Sequence, residues 1–211
     1  MEEETLVLGR KSKEAFDFFN LSKTQQFLLE TYGNLIKIKH EPTYCHSVRV
    51  ALYGIKISKF TMLDPRMMLC AGLLHDIGKV AIDNDLLEKR SFTVADREKI
   101  REHSIYGYYI LKGVHDFFAE TTLRHHLYGL DGYPKILPLN RVYFSAMSEE
   151  LIESYSKALA IIDFYDAVIT REDNYQLQGA VKDSLIKNFP NLAEIIEFSY
   201  EKGVFVKEVI C

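Results

Sequence analysis

The chain has 211 residues, 47% hydrophobic and 27% charged, with a formal net charge of -4 at pH 7. That suits one globular domain with a core of its own, and the acidic balance argues against a general binder of nucleic acid polymers, which is usually basic. Cys45, Cys70 and Cys211 are few and not in paired spacing, which points to reduced thiols in a cytoplasmic compartment; the acidic start is no signal peptide, and no apolar run is long enough to cross a bilayer.

Residues 1–13 read as charged and mobile, and 14–20 as a short aromatic-rich helix. Ser22 is placed to cap a helix through Phe27, Leu28, Leu29 and Leu35 to about His40, where Pro42 marks a break. A helix over 44–60 puts Cys45, Val48, Ala51, Leu52, Ile55 and Phe60 on one broad face, with His46 in its first turn. Asp64 as N-cap and Pro65 at the first helical position start the next helix. Its Met67, Met68, Ala71 and Leu74 recur at helical spacing, and Gly78 offers a left-handed stop just after His75-Asp76.

Residues 80–90 read as loop with a short helix around Asp85-Leu86-Leu87. Thr93 and Asp96 form a capping box opening a helix with Ile100, His103, Gly107, Ile110 and Leu111. A helix over 114–128 contains His125 and His126; two glycines and two prolines make 129–138 loop. Ser148 caps a long helix through Leu151, Ile152, Leu159, Ile162, Asp163, Asp166 and Val168. Helices over 175–188 and 191–202 follow, with Pro190 and Gly203 as breaks, and 204–206 reads as a short strand. The expectation is an all-α helical bundle: an N-terminal helical extension over 1–40 and one domain over 41–211.

The histidines are His40, His46, His75, His103, His115, His125 and His126. Taken singly, each is more often an ordinary histidine than a ligand. However, His46, His75, His103 and Asp163 each fall in an apolar periodic helix, and buried imidazoles and carboxylates need partners. Such mixed ligands suit a catalytic site for iron, manganese or zinc. Asp163 and Asp166 share a helix face, so Asp166 either turns inward, holds a histidine N–H from behind, or is a surface carboxylate. His125 and His126 diverge by about 100° on a helix, so both serve the site or only one faces in. Lys79, just past the helix end, is placed to meet a phosphate as a point charge. His40 and His115 read as surface, and Tyr133 is the one aromatic read as a substrate-stacking candidate.

The order His46, His75-Asp76, Asp163 resembles the HD-domain metal-dependent phosphohydrolases, with His75-Asp76-Ile77-Gly78-Lys79 as the HDIGK form of their central motif. Leu86-Leu87-Glu88-Lys89, Phe92-Thr93, His103-Ser104-Ile105-Tyr106-Gly107, His125-His126, Asp131-Gly132-Tyr133-Pro134 and Asp163-Phe164-Tyr165-Asp166-Ala167 extend the resemblance to the HD-GYP subgroup, over residues 44–170. The resemblance implies an all-α fold, a di- or trinuclear metal centre and hydrolysis of cyclic di-GMP or a related cyclic dinucleotide. By position, His46, His75, Asp76 and Asp163 would bind one metal, with Asp76 bridging; His103 and His125 would serve a second; His126 would support it or serve a third; Lys79 would contact phosphate. Asp166 and Tyr133 join Lys79 as substrate-binding candidates.

The sequence departs from that pattern at Leu127, where the subgroup has glutamate, at Ser104, where it has proline, and in a shortened GYP loop. Pro42 stands where trinuclear members carry a glutamate, with Glu41 one residue off, which favours two metals. The expected cofactors are two divalent ions, iron or manganese first, with zinc, nickel or magnesium as alternatives. The expected substrate is a small phosphorylated nucleotide, cleaved by a water activated between the ions with Asp76 and Lys79 as catalytic groups; no membrane partner is expected, and a homo-oligomer is left open. The alternatives are a nucleotide phosphomonoesterase, a ligand-binding signalling module without catalysis, and a di-iron oxygenase on the same fold.

Overall fold

The structure, a computed structural model, describes residues 2–170 and 178–205. It is all-α, and no strand occurs among the described residues. The helices are α1 (Glu2–Phe18), α2 (Lys23–Lys39), α3 (Glu41–Ser58), α4 (Pro65–Leu74), α5 (Asn84–Leu87), α6 (Val94–Arg101), α7 (His103–Leu111), α8 (Asp116–Arg124), α9 (Ala146–Ile169), α10 (Gln178–Asn188) and α11 (Ala193–Glu201), with 3-10 turns at Ile77–Ala81 and Pro190–Leu192. No described helix is long and apolar enough to cross a membrane.

Local chemistry sets many boundaries as read from the sequence. Ser22 caps α2 in a full capping box with Gln25, Asp64 accepts from the Arg66 and Met67 amides at the start of α4, and Thr93 and Asp96 cap α6 reciprocally. Each satisfies amides that a helix start leaves without partners.

Other boundaries move. Residues 2–13 are helical, because Leu8 and Phe16 bury against the core and stabilise a segment whose charge pattern alone suggested mobility. Pro42 opens α3 rather than breaking a helix, since proline lacks only an amide that the first turn leaves free. α3 ends at Ser58, leaving Phe60 outside and 42% exposed. The long helix expected after Thr93 is divided at Glu102 into α6 and α7. Ser145, not Ser148, caps α9, accepting from the Ser148 amide at 3.2 Å. Val204 and Phe205 are not in a strand; Val206 lies outside the described residues, as do 175–177 of the helix read over 175–188.

α3 is the axis of the molecule, buried from Thr43 to Ser58 except where Tyr44, His46, Leu52, Ile55 and Lys56 are partly open. One apolar cluster joins it to α4, α9, α10 and α11, and a second joins it to α1, α2, α4, α7 and α8. α4 approaches so closely that a Cβ on Gly72 would lie 2.5 Å from the Ala51 Cα. Gly78 is also a close-approach residue rather than a left-handed stop. It lies inside the 3-10 turn, and a Cβ there would lie 1.8 Å from the His103 carbonyl oxygen and 2.4 Å from the Gly107 nitrogen. That contact presses the His75-Asp76 segment against the start of α7.

Candidate metal centre

Five helices aim polar groups into one interior. His46 comes from α3; His75 caps the C-terminus of α4, followed by Asp76; His103 opens α7; His125 ends α8, with His126 next; Asp163 comes from the C-terminal part of α9. His75, Asp76, His103, His125 and Asp163 are at most 9% exposed. Their burial is tolerable only if the groups satisfy one another or a ligand.

The donor atoms fall into two lobes around Asp76. In the first, His46 Nε2 lies 2.9 Å from Asp163 Oδ1, 3.3 Å from His75 Nε2 and 3.7 Å from Asp76 Oδ2, and His75 Nε2 is 3.6 Å from that same oxygen. In the second, His103 Nε2 lies 3.3 Å from the other oxygen, Asp76 Oδ1. His103, His125 and His126 form a further set with ligand atoms mutually within 4.8 Å. Donors roughly 3 to 3.5 Å apart are the edges of a coordination shell with bonds of about 2.1 Å.

The nitrogens are arranged to receive a cation. His75, His103 and His125 each turn Nδ1 to a carbonyl three residues back, Gly72 O at 2.7 Å, Ile100 O at 2.7 Å and Thr122 O at 2.6 Å. Donation there fixes the tautomer with the Nε2 lone pair facing inward. His103 Nε2 and His125 Nε2 are then buried with no hydrogen-bond partner among the described residues. A buried nitrogen left without a partner is costly, and a divalent ion fits the vacancy in bonding that these lone pairs present.

The electrostatics of the ion-free site agree. Burial pushes His46 down, but hydrogen bonds to Asp163 and Asp166 outweigh it and lift its pKa to about 9. Burial lowers His103 to about 4 against the pull of Asp76, and lowers His125 to about 3 with help from His75 and His103. His126 is lowered by burial and then by His125. Burial would raise both carboxylates, yet Lys79, His75 and His103 hold Asp76 well below the usual range, and His46 and His75 do the same for Asp163. The centre thus offers ionised carboxylates and, in His103, His125 and His126, neutral imidazoles, the forms that bind metal, whereas His46 must give up its proton first.

Residues 43–168 match the family model described as HD domain. The chain belongs to the HD domain family. Within it, the chain is similar to a cyclic di-GMP phosphodiesterase of Pseudomonas aeruginosa, 32% identical over 142 residues, covering 63% of this chain and 32% of the relative. It is 30% identical over 113 residues to the cyclic di-GMP phosphodiesterase response regulator RpfG of Xanthomonas campestris pv. campestris, covering 51% and 27%. It is 26% identical over 178 residues to 3'3'-cGAMP-specific phosphodiesterase 3 of Vibrio cholerae, covering 81% and 36%. The chain thus spans about a third of the length of these relatives, and its HD domain resembles the HD-GYP type.

The remaining sequence candidates distribute around this HD centre. His126 and His125 both face inward with ring centroids 3.8 Å apart, because the helix ends at Arg124 and the two no longer diverge as on a regular helix. Lys79 Nζ is 2.5 Å from Asp76 Oδ2. Tyr133 stacks on His126 at 4.3 Å, its amide donating to the His126 carbonyl at 3.2 Å. Asp166 does not face substrate: it is 0% exposed, and its oxygens are taken by His46 Nδ1 at 2.7 Å and by Arg49. His40 is partly buried rather than on the surface, paired with Thr43 Oγ1 at 2.8 Å, and His115 is partly buried against Tyr32 and Phe118.

Three further groups escaped the sequence reading. Arg49, one turn beyond His46, holds Asp166 with two hydrogen bonds; an arginine flanked by Val48 and Val50 inside an apolar helix was its signal. Arg101 lies over the Tyr133 ring at 5.1 Å and pairs with Asp131, fixing the glycine-rich loop. Glu120 is 0% exposed and held by Arg124 and Arg141, which ties the segment before α9 to α8. Its signal was weak, since its arginine partners lie four and 21 residues away.

Proposed function

We propose that the chain is a metal-dependent phosphodiesterase that hydrolyses a cyclic dinucleotide such as cyclic di-GMP. The observation that carries this reading is Asp76, whose Oδ2 faces His46 and His75 while its Oδ1 faces His103. His46, His75, Asp76 and Asp163 would hold one divalent ion, and Asp76, His103 and His125 a second, supported by His126. Iron or manganese suits this His/Asp set best. Bound there, the ions supply Lewis-acid stabilisation and a water of lowered pKa.

The protein's own groups do the rest. Asp76 orients both halves of the centre while remaining ionised. Lys79, 21% exposed at its side chain, neutralises Asp76 in the ion-free site. Were Asp76 engaged by cations, Lys79 would be free to meet a phosphoryl oxygen and offset the charge that develops as water adds to phosphorus and the P–O bond to the sugar breaks. Tyr133, stacked on His126 and capped by Arg101, lines the approach to the second lobe. The names of all three relatives support a cyclic dinucleotide as substrate. The cGAMP-specific relative matches the longest stretch, so 3'3'-cGAMP belongs beside cyclic di-GMP in the test.

The test is metal content on protein purified without chelator, then turnover of both cyclic dinucleotides and of mononucleotide monoesters with manganese or ferrous ion. About two ions per chain with cleavage of a cyclic dinucleotide is the expected result. Asp76→Ala should strip the metal and abolish turnover while most helical content remains. Turnover retained in that variant, or confined to monoesters, would refute the proposal.

A further inference from the structure

The histidines of the centre are oriented in two different ways. His75, His103 and His125 donate to carbonyls three residues back, at the ends of the elements that carry them. Each is therefore set locally. His46 is not. Its Nδ1 meets Asp166 Oδ2 on α9, 120 residues away, at 2.7 Å.

Asp166 is itself held from behind. Arg49 Nε donates to Oδ1 at 2.8 Å and Nη2 to Oδ2 at 3.0 Å, a two-pronged grip that fixes the carboxylate plane. The third prong of Arg49, Nη1, donates to Glu4 Oε1 at 2.6 Å. Glu4 lies in the first turn of α1, outside the residues that match the HD domain. A continuous line of charge-assisted bonds therefore runs Glu4–Arg49–Asp166–His46, from a helix outside the matched region to one lobe of the centre.

The line is stiff at its inner end and open at its outer end. Asp166 is buried and the Arg49 side chain is 11% exposed, whereas that of Glu4 is 51% exposed. α1 is held beside it by Thr5 Oγ1, which donates to Glu41 Oε1 at 2.7 Å and lies 3.3 Å from Cys45 Sγ, and by Leu8 and Phe16 in the core. The position of α1 thus decides whether Arg49 has its second carboxylate.

We infer that α1 is a positioning arm of the metal centre: Glu4 holds Arg49 square on Asp166, and so sets the orientation of His46 and the affinity of the lobe formed by His46, His75, Asp76 and Asp163. This rests on the metal-centre reading above. Glu4, Arg49 and Asp166 are positioning residues. Their effect is confined to one lobe, because His103 and His125 take their orientation from carbonyls three residues back in the chain. Loss of an outer partner of a ligating histidine typically weakens metal binding about 10- to 100-fold. That is the expected loss for Arg49→Lys, whose ammonium cannot reproduce the fork. Glu4 acts one bond further out, and Glu4→Gln should weaken the same lobe by roughly 3- to 10-fold, below the full second-layer effect.

The experiment titrates the ion-free full chain with Co2+ alone, followed by absorption, in the unaltered protein, Glu4→Gln, Arg49→Lys, Asp166→Asn and the Glu4→Gln/Asp166→Asn double variant. Circular dichroism and melting of the ion-free forms are recorded alongside. One of the two Co2+ affinities should fall in Glu4→Gln and the other should hold within about twofold, with Glu3→Gln, an exposed neighbour, unchanged. In the Asp166→Asn background Glu4→Gln should have no further effect, because the line is already cut. Equal affinities in Glu4→Gln and the unaltered chain would overturn this inference alone, as would an equal loss with and without Asp166, or a lowered melting point with both affinities intact. No Co2+ uptake by the unaltered chain would overturn it together with the metal-centre reading.

Discussion

Gly78→Ala tests the link between fold and centre most directly. The added Cβ would lie 1.8 Å from the His103 carbonyl oxygen, 2.4 Å from the Gly107 nitrogen and 2.8 Å from the His103 carbonyl carbon, where 3.0 Å is the practical limit. All three atoms are backbone, so no side-chain rotation relieves the clash. The 3-10 turn and the start of α7 must separate by at least about 1.2 Å, a displacement far beyond what a close-packed interior absorbs freely. Overpacking of this kind costs about 3 kcal/mol or more, or a fall in melting temperature of roughly 6 to 12 °C for a chain of this size. The same separation draws His103 Nε2 away from Asp76 Oδ1, now 3.3 Å apart, so occupancy of the second lobe should fall as well. Thermal unfolding and metal content of the variant check both effects. A variant that melts within about 2 °C of its parent and keeps its full metal content would refute the reasoning.

Thr93→Ala removes the side-chain acceptor of the α6 capping box and should cost about 1 kcal/mol in chemical denaturation, leaving metal content unchanged. Glu120→Ala leaves Arg124 and Arg141 without their shared carboxylate and should destabilise by about 3 kcal/mol, the low end for a broken buried pair because Arg124 keeps Glu149 at 2.8 Å; a loss under about 1 kcal/mol would show that water replaces the carboxylate. The pKa of His46, raised from 6.5 to about 9, gives the ion-free fold stability that is fully present below pH 6.5 and is lost as the pH rises through 9. The same proton must leave when a metal binds. Uptake should therefore release it near neutral pH, and apparent affinity should rise with pH, by up to about tenfold per unit. Calorimetry in buffers of different ionisation enthalpy reads that release, and its absence would show that His46 is already neutral.

The sequence alone determined what depends on local chemistry. Ser22, Asp64 and Thr93 announce helix starts because their side chains bond amides two or three residues away, and apolar periodicity yields an all-α fold without reference to distant parts of the chain. The inward histidines and Asp163 were legible for a related reason: polar groups inside apolar helices stand out by the cost of burying them. The tertiary structure decided what depends on distant neighbours. α1 forms because Leu8 and Phe16 find a core that its own charged sequence does not contain. Gly78 is required by the His103 and Gly107 backbones, a steric fact invisible in the HDIGK segment itself. Asp166 could face inward, stand behind a histidine or meet solvent on spacing alone. Packing of α9 on α3 placed it between His46 and Arg49, and packing of α1 on α3 brings Glu4 within reach of Arg49; the line joins three helices whose separation in sequence carries no signal of their contact.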